Sequence, residues 1–476
     1  MKRSVYDKAW RLLDASVIRF NGKPVGTVAA RDTIVQEINY DQIFTRDFAV
    51  SAYAYLLSGQ PEIVAGFLLE MVRLQHTERQ FDCFKPGEGL MPASFKVVAG
   101  RDGELLVADF GEHAIARVPP VDSGLWWLMI LRAYVQTTGD RALAEREDVQ
   151  GAIRMLLDLC LNARFDMFPT MLVPDGSFMI DRRMGVYGYP IDVQTQFFSA
   201  LQAAEMLLVD AEENARYIEA ARRRQEHLAY HIRTYYWLDL EQINRMYRYG
   251  VEEYGETAVN QFNIYPETIP DWLTDWLPEA SGYFAGNLGP ARMDYRYFAQ
   301  GNLMAVLNGL ATEEQSAALV QLLRERRDDL IGEVPLKLSY PALEGQDWAL
   351  LTGMDPKNRP WSYHNGGNWP VLLWLLAGAC VRTGALDLLE SALDSVESRL
   401  VRDDWPEYYD GRRGRLLGQQ ARKQQTWSIA GYVVARQLAQ DPACLERLGF
   451  GGSARSASCD TVSPPVVGTR ARRPGG

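Results

Sequence analysis

The chain predicts an all-α fold, a toroid of the (α/α)6 kind with long rim loops and a small β-hairpin insertion, and three observations predict it. Helix-period segments come in pairs, the first apolar on nearly every turn and the second amphipathic. Six apolar and six amphipathic segments can be counted. Ahead of the apolar runs stand clusters of carboxylates, arginines, amides and aromatics: Asn39–Asp47, Asp122–Trp127, Asp181–Pro190, Ala285–Arg296, Ser362–Pro370 and Trp405–Gly411. A helix that is apolar all round must be enclosed, whereas an amphipathic one lies on the outside. Polar clusters at the same end of successive enclosed helices meet on one rim if the helices close a ring.

Each element follows in order. The segment at about 4–20, with Trp10, Leu12 and Leu13 at amphipathic spacing, has no apolar partner beside it and could close the ring. The stretch 43–57 is apolar throughout, and 61–75 carries Val64, Leu68 and Met71 on one stripe. The same order recurs at 122–138 and 141–163, 191–208 and 212–237, 293–310 and 312–327, and 367–383 and 385–400. A last apolar run, 422–439, precedes a Gly- and Ser-rich end. An open helical solenoid would show short regular periods, and these pairs are separated by long, unequal insertions. The insertions 76–121, 240–292 and 328–366 are predicted to cover the rim, since long loops in a compact domain are usually functional. Within the first, Lys96–Val107 centred on Arg101-Asp102-Gly103 predicts a hairpin. Residues 1–450 contain no linker and read as one catalytic domain; 451–476, rich in Gly, Ser, Pro and Arg, reads as a disordered tail.

Composition narrows the function. A formal net charge of −11 over 476 residues argues against a nucleic-acid surface, which needs concentrated Lys and Arg. The 12 Trp and 23 Tyr either pack large helices or offer faces for stacking on sugar rings. Five scattered cysteines without C-x-x-C spacing suggest neither a disulfide framework nor a zinc site and fit a reducing cytoplasm. The start lacks the apolar core of a signal peptide, and the longest apolar run, Val371–Val381, falls far short of the ~20 residues that span a bilayer. No membrane role and no cofactor are predicted.

The rim clusters suit hydrolysis of a sugar acetal, which needs one carboxylic acid to protonate the leaving oxygen and a second carboxylate as nucleophile or base. Asp41, Asp47, Asp122, Asp181, Asp294 and Glu407 are the candidates. Singly, each has a structural reading: Asp122 and Asp181 precede helices and could be N-caps, and Asp47 could pair with Arg46. Glu407, in W-P-E-Y-Y-D-G, is the hardest to explain as structure, because Pro406 stiffens a loop in which aromatics flank the acid. Asp181 lies in M-I-D-R-R-M-G-V-Y-G-Y-P, where glycines permit close backbone approach and arginines could bind hydroxyls. Those arginines would lower its pKa, so acid catalysis there requires burial or a neighbouring carboxylate. No nucleophile elbow or phosphate loop is present, and the stretch 282–289 lacks the strand a dinucleotide site needs. His227 and His231 stand four apart on a helix without the glutamate of a metalloprotease motif, so no metal is predicted. His364 could bond a hydroxyl or order its loop.

At these clusters the sequence resembles the alkaline/neutral invertases, glycoside hydrolase family 100. The similarity is carried by N-Y-D-Q-I-F-T-R-D from Asn39, P-V-D-S-G-L-W-W from Pro120, the Met179 motif, F-N-I-Y-P-E-T-I-P-D-W from Phe262, G-Y-F-A-G-N-L-G-P-A-R-M-D-Y-R from Gly282, the Trp405 motif and R-K-Q-Q-T-W-S-I-A-G from Arg422, over roughly 5–445. The resemblance implies an (α/α)6 barrel, no metal, a cytosolic-type enzyme that commonly self-associates, and inverting hydrolysis of sucrose to glucose and fructose. It places the general acid on Asp181 and the general base on Glu407. It also implies that Tyr40, Asp41, Arg46, Asp122, Trp126, Arg183, Gln194, Arg292, Asp294, His364 and Asn365 line the sugar pocket. Another inverting glucosidase, trehalase-like, would differ mainly in the leaving-group site. An isomerase would lean on paired histidines, and a non-catalytic sugar-binding scaffold would tolerate loss of both acids.

Overall fold

A computed structural model describes residues 2–32, 39–78, 87–112, 119–161, 168–173, 178–180, 184–248, 264–289 and 292–450. Among the described residues, twelve helices form the framework: α1 Lys2–Ala15, α2 Thr45–Leu57, α3 Glu62–Leu74, α4 Ser123–Thr138, α5 Glu147–Cys160, α6 Ile191–Leu207, α7 Glu212–Tyr235, α8 Ala299–Leu307, α9 Glu313–Glu325, α10 Leu373–Thr383, α11 Leu386–Arg402 and α12 Thr426–Gln440. The even-numbered helices are enclosed. Every described residue from Phe48 to Leu56 in α2, from Ser123 to Val135 in α4 and throughout α8 is buried. Each of the six packs on the next: α2 on α4, α4 on α6, α6 on α8, α8 on α10, α10 on α12, and α12 back on α2. That circuit has no open end, so each fully buried Leu or Phe in it contributes about 1.5–3 kcal/mol relative to exposure without leaving an apolar edge.

The odd-numbered helices bury one face. In α5 the buried set is Val149, Gln150, Ala152, Ile153, Leu156 and Leu157, a stripe at helical spacing, while its first turn carries Glu147 and Asp148. The Thr312–Gln315 capping box fixes the start of α9. Helix α1 lies against α12, so the first outer helix covers the last inner one.

Glycines let the inner helices approach closely. A Cβ on Gly431 of α12 would fall 2.6 Å from the Val371 carbonyl oxygen, and one on Gly301 of α8 would fall 2.7 Å from Asp192 Oδ1 of α6. In α10, Cys380 is fully buried.

Strand structure lies in the insertions. Strands β1 (Ser94–Gly100) and β2 (Gly103–Asp109) pair antiparallel about Arg101-Asp102, in register from Ser94 opposite Asp109 to Gly100 opposite Gly103. Strands β3 (Tyr283–Gly289) and β4 (Arg292–Phe298) form a second antiparallel pair, with a register shift between Ala285 and Asn287. The helix expected over 293–310 therefore begins only at Ala299. Met293, Tyr295 and Tyr297 alternate with the half-buried Asp294 and its partner Arg296, and these aromatic-rich residues fit a pleated surface better than a helix start. The segment expected to be helical over 4–20 likewise ends at Ala15, and Val17–Phe20 pairs with Lys23–Thr27 as a short antiparallel ribbon. The stretch 451–476 lies outside the described residues.

Candidate active site

Five of the six inner helices bring the residues of their first turns or just beyond to one small cavity. Its walls are Arg46 and Val50 of α2, Trp126 of α4, Gln300 of α8, Trp374 of α10 and Trp427 of α12, completed by Met179, Val371 and Leu372. The sixth, α6, contributes indirectly: Asp192 in its first turn accepts a hydrogen bond from Gly301 N at 2.6 Å, next to Gln300. The mixture of three indoles with a guanidinium and an amide gives flat apolar faces and directional donors, the pairing that a sugar ring with its hydroxyls requires.

Glu407 stands on the loop leading from α11 to α12. Its residue is 4% exposed; Oε1 accepts a hydrogen bond from the Tyr40 hydroxyl at 3.0 Å, while Oε2 is buried without a partner among the described residues. The loop is pinned on both sides. Asp404 and Trp405 adopt φ of 61° and 55°, a left-handed conformation that side chains disfavour. It is held by backbone bonds from Gln424 N to the Asp404 carbonyl, from Gln425 N to that of Trp405, and from Glu407 N to that of Arg422. Tyr408 stacks on Trp369 at 5.3 Å, and the Arg422 guanidinium lies 5.0 Å from the Tyr40 ring. A carboxylate so held has one oxygen fixed by Tyr40 and the other without a partner among the described residues.

At the start of α2, Arg46 grips Asp122 through two parallel bonds, Nε to Oδ2 at 2.6 Å and Nη2 to Oδ1 at 2.9 Å. Trp126 Nε1 donates to the same Oδ2 at 3.1 Å. Asp122 precedes α4 but makes no side-chain cap bond, so its carboxylate serves this cluster rather than the helix end. Asp47 is half-buried beside it and receives a long bond from Gln425 Nε2 at 3.4 Å. Desolvation, with the charges of Glu407 and Asp122 adding to it against Arg46, pushes Asp47 up to about 7. Three carboxylates thus share one neighbourhood with a single gripping arginine.

The sequence profile of the alkaline and neutral invertases matches residues 9–442. The chain belongs to that family. It is 55% identical over 440 residues to Cytosolic invertase 1 of Oryza sativa subsp. japonica, covering 92% of this chain and 78% of that protein. It is 53% identical over 441 residues to Probable alkaline/neutral invertase D of Arabidopsis thaliana, covering 92% and 83%. Other relatives are named for mitochondria or chloroplasts. Among solved structures, the GH63 mannosylglycerate hydrolase of Thermus thermophilus superposes with a TM-score of 0.56 at 12% identity, over 90% of this chain and 99% of that one, a likeness of fold. As a member of the alkaline/neutral invertases, the protein is a glycoside hydrolase.

Around this cavity the remaining expected residues divide. Asp181 and Arg183 lie outside the described residues; Ile180 and Met184 on either side are buried, and Met179 lines the cavity. Gln194 spends both ends of its amide on Met171, accepting from its N at 2.8 Å and donating to its O at 2.9 Å, so it holds a neighbouring loop. Asn365 is equally committed, to Leu343 N, Leu343 O and Asn358 O. His364 stacks on Tyr363 at 3.9 Å and, through its backbone, joins Asn358 and Ser339. Asp294 is paired within its own strand with Arg296, Nε to Oδ1 at 2.9 Å, and Arg292 and Asp41 are exposed. His227 packs on Phe168, and His231 on Tyr235 and Tyr236. Sequence reasoning missed Gln300, Trp374 and Trp427. Gln300 Nε2 and Trp427 Nε1 are buried donors without partners among the described residues. The signal was the helix-start position itself, which Arg46 and Trp126 share.

Proposed function

We propose that the protein hydrolyses sucrose to glucose and fructose on an (α/α)6 toroid, with inversion at the glucosyl anomeric carbon. Membership of the alkaline/neutral invertases supports the substrate. The observation that carries the mechanism is Glu407, a buried carboxylate with one oxygen held by Tyr40 and the other unpartnered among the described residues. In this reading the Asp181 carboxyl gives its proton to the glycosidic oxygen as the bond from C1 to that oxygen breaks and fructose leaves. Glu407 takes a proton from the water whose oxygen forms the new bond to C1 on the opposite face. One water is consumed, and the two carboxyls exchange protonation states until solvent resets them. The Arg46–Asp122–Trp126 cluster, with Gln300 and Trp427, binds glucosyl hydroxyls. Residues 1–450 act as one catalytic domain, in the cytoplasm, and self-association follows the family habit.

Following newborn glucose by NMR tests this. The α-glucosidic bond of sucrose gives β-glucose first if a single displacement operates, and the Asp181 and Glu407 carboxyls then stand roughly 6.5–9.5 Å apart. Appearance of α-glucose first would require a covalent intermediate and refute the assignment of Glu407 as base. Trehalose and maltose offered beside sucrose test the leaving-group site, and faster turnover of trehalose would favour the trehalase-like reading.

A further inference from the structure

Beneath the cavity floor the axis of the helix circuit is filled by aromatic rings. Trp374, which lines the cavity, lies 5.2 Å from Tyr53 and 6.2 Å from Phe450, and Tyr53 lies 5.9 Å from Phe450. Against the same Phe450 ring, 5.2 Å from its centroid, sits the guanidinium of Arg132. Arg132 is nine residues into α4, about 13 Å along the axis from the rim at 1.5 Å per residue.

Arg132 is 5% exposed and Tyr53 fully buried. Among the described residues, the one side-chain hydrogen bond of Arg132 runs from Nη1 to Gln202 Oε1 at a long 3.4 Å. Nε, Nη2 and the Tyr53 hydroxyl have no partner among the described residues. The contrast with Arg296 and Arg436 is sharp. Arg296 is paired with Asp294, and Arg436 with Glu390, Asp394 and Glu397, whereas among the described residues no carboxylate pairs with Arg132. Burial lowers its pKa only to about 10, and Tyr53 is the group whose charge couples to it, so the guanidinium is a cation at neutral pH. A buried charge without a counter-charge is strongly destabilising, and a neutral water leaves the net charge in place.

We propose that Arg132 Nε and Nη2, with the Tyr53 hydroxyl, bind a small monovalent anion of the halide class, chloride under ordinary conditions, beneath the floor of the active-site cavity. One positive charge and one hydroxyl donor, flanked by the apolar Phe450, match a single compact negative charge better than a polyatomic dianion. Gly449, at φ 84°, packs on the same guanidinium: a Cβ there would stand 3.2 Å from Arg132 Nε, so glycine keeps that side clear of a side chain.

The test combines a bromide soak with melting curves. Crystals of the wild-type protein soaked in sodium bromide are expected to show an anomalous peak within hydrogen-bond reach of Arg132 Nη2 and the Tyr53 hydroxyl. At constant ionic strength, exchanging sodium gluconate for sodium chloride is expected to raise Tm saturably by about one to three degrees. Arg132→Met should abolish that dependence; Tyr53→Phe, which removes only a hydroxyl and serves if Arg132→Met does not fold, should raise the chloride midpoint about tenfold. A water without anomalous signal at this position would overturn the proposal. So would melting curves that superimpose in the two salts, since a bromide peak would then mark an adventitious ion only.

Discussion

Glu407 and Tyr40, 367 positions apart in sequence, meet at 3.0 Å because α2 and α12 adjoin in the circuit and each follows the loop that carries one of them. If Glu407 activates water, Glu407→Gln removes a group used only in the transition state. The expected result is a fall in kcat of at least about 10³-fold with KM changed less than about threefold, read from steady-state sucrose hydrolysis. Tyr40→Phe leaves the carboxylate but frees its Oε1, and about a tenfold fall in kcat is expected. Equal kcat in Glu407→Gln and wild type would remove Glu407 from the mechanism. Such residues stand out in the sequence because a carboxylate or arginine among aromatics beside a proline or glycine has few structural uses. Gln194 and Asn365 carry a second reading that the sequence does not reveal: a buried amide near a site bonds backbone as readily as a hydroxyl, and both amides here bond backbone. Gln300, Trp374 and Trp427 escaped because they sit inside runs that read as helix interior.

Among elements, the inner helices were legible from continuous apolar character and the outer ones from a single stripe, which is why the pairing order could be read along the chain. Strand β4 was not, because M-D-Y-R-Y-F runs directly into an apolar helix and the two patterns merge at Ala299. The junction there depends on Asp192. It is wholly buried, its Oδ1 braces the first turn of α8 through Gly301 N, and its Oδ2 has no partner among the described residues. Burial, against the Gly301 bond and with some repulsion from Asp122, raises its pKa to about 7. An unfolded Asp titrates at about 3.9. Below that value both states are protonated and Asp192 costs nothing through ionisation. Between about 4 and 7 the folded protein keeps a proton that the unfolded chain releases, so stability falls as pH rises, and above about 7 the loss is complete. Asp192→Asn retains the acceptor for Gly301 N and does not ionise; its amide has the nearby Tyr297 hydroxyl, also unpartnered among the described residues, as a candidate acceptor. Thermal melts from pH 4 to 8 are expected to show the variant gaining Tm relative to wild type as pH rises. Parallel curves would show that Asp192 is not the buried proton carrier.

For the molecule as a whole, closure of the circuit depends on α1 covering α12 and on what fills the axis. The count of six apolar and six amphipathic segments anticipated α1 as a closing outer helix, and its contact with α12 is where that count leads. The plug was not anticipated, because the chain after 439 reads as a decline toward the Gly- and Ser-rich end. Leu445, Leu448 and Phe450 are nevertheless buried, and they carry the last apolar signal before glycine takes over. Phe450 touches rings from α2 and α10 and the guanidinium from α4, so three of the six inner helices share one side chain. Truncating it opens a cavity that no single helix can collapse to fill. Phe450→Ala is therefore expected to destabilise by about 3–5 kcal/mol in chemical denaturation, within the range for buried aromatics. Kinetic damage should also follow, because Trp374, one wall of the cavity, loses its support from below. Cleaving the chain after Phe450 removes only residues of the predicted tail, so stability and turnover should remain at wild-type values. If instead that truncation destabilises as much as Phe450→Ala, residues beyond 450 belong to the fold, and the domain boundary read from composition is wrong.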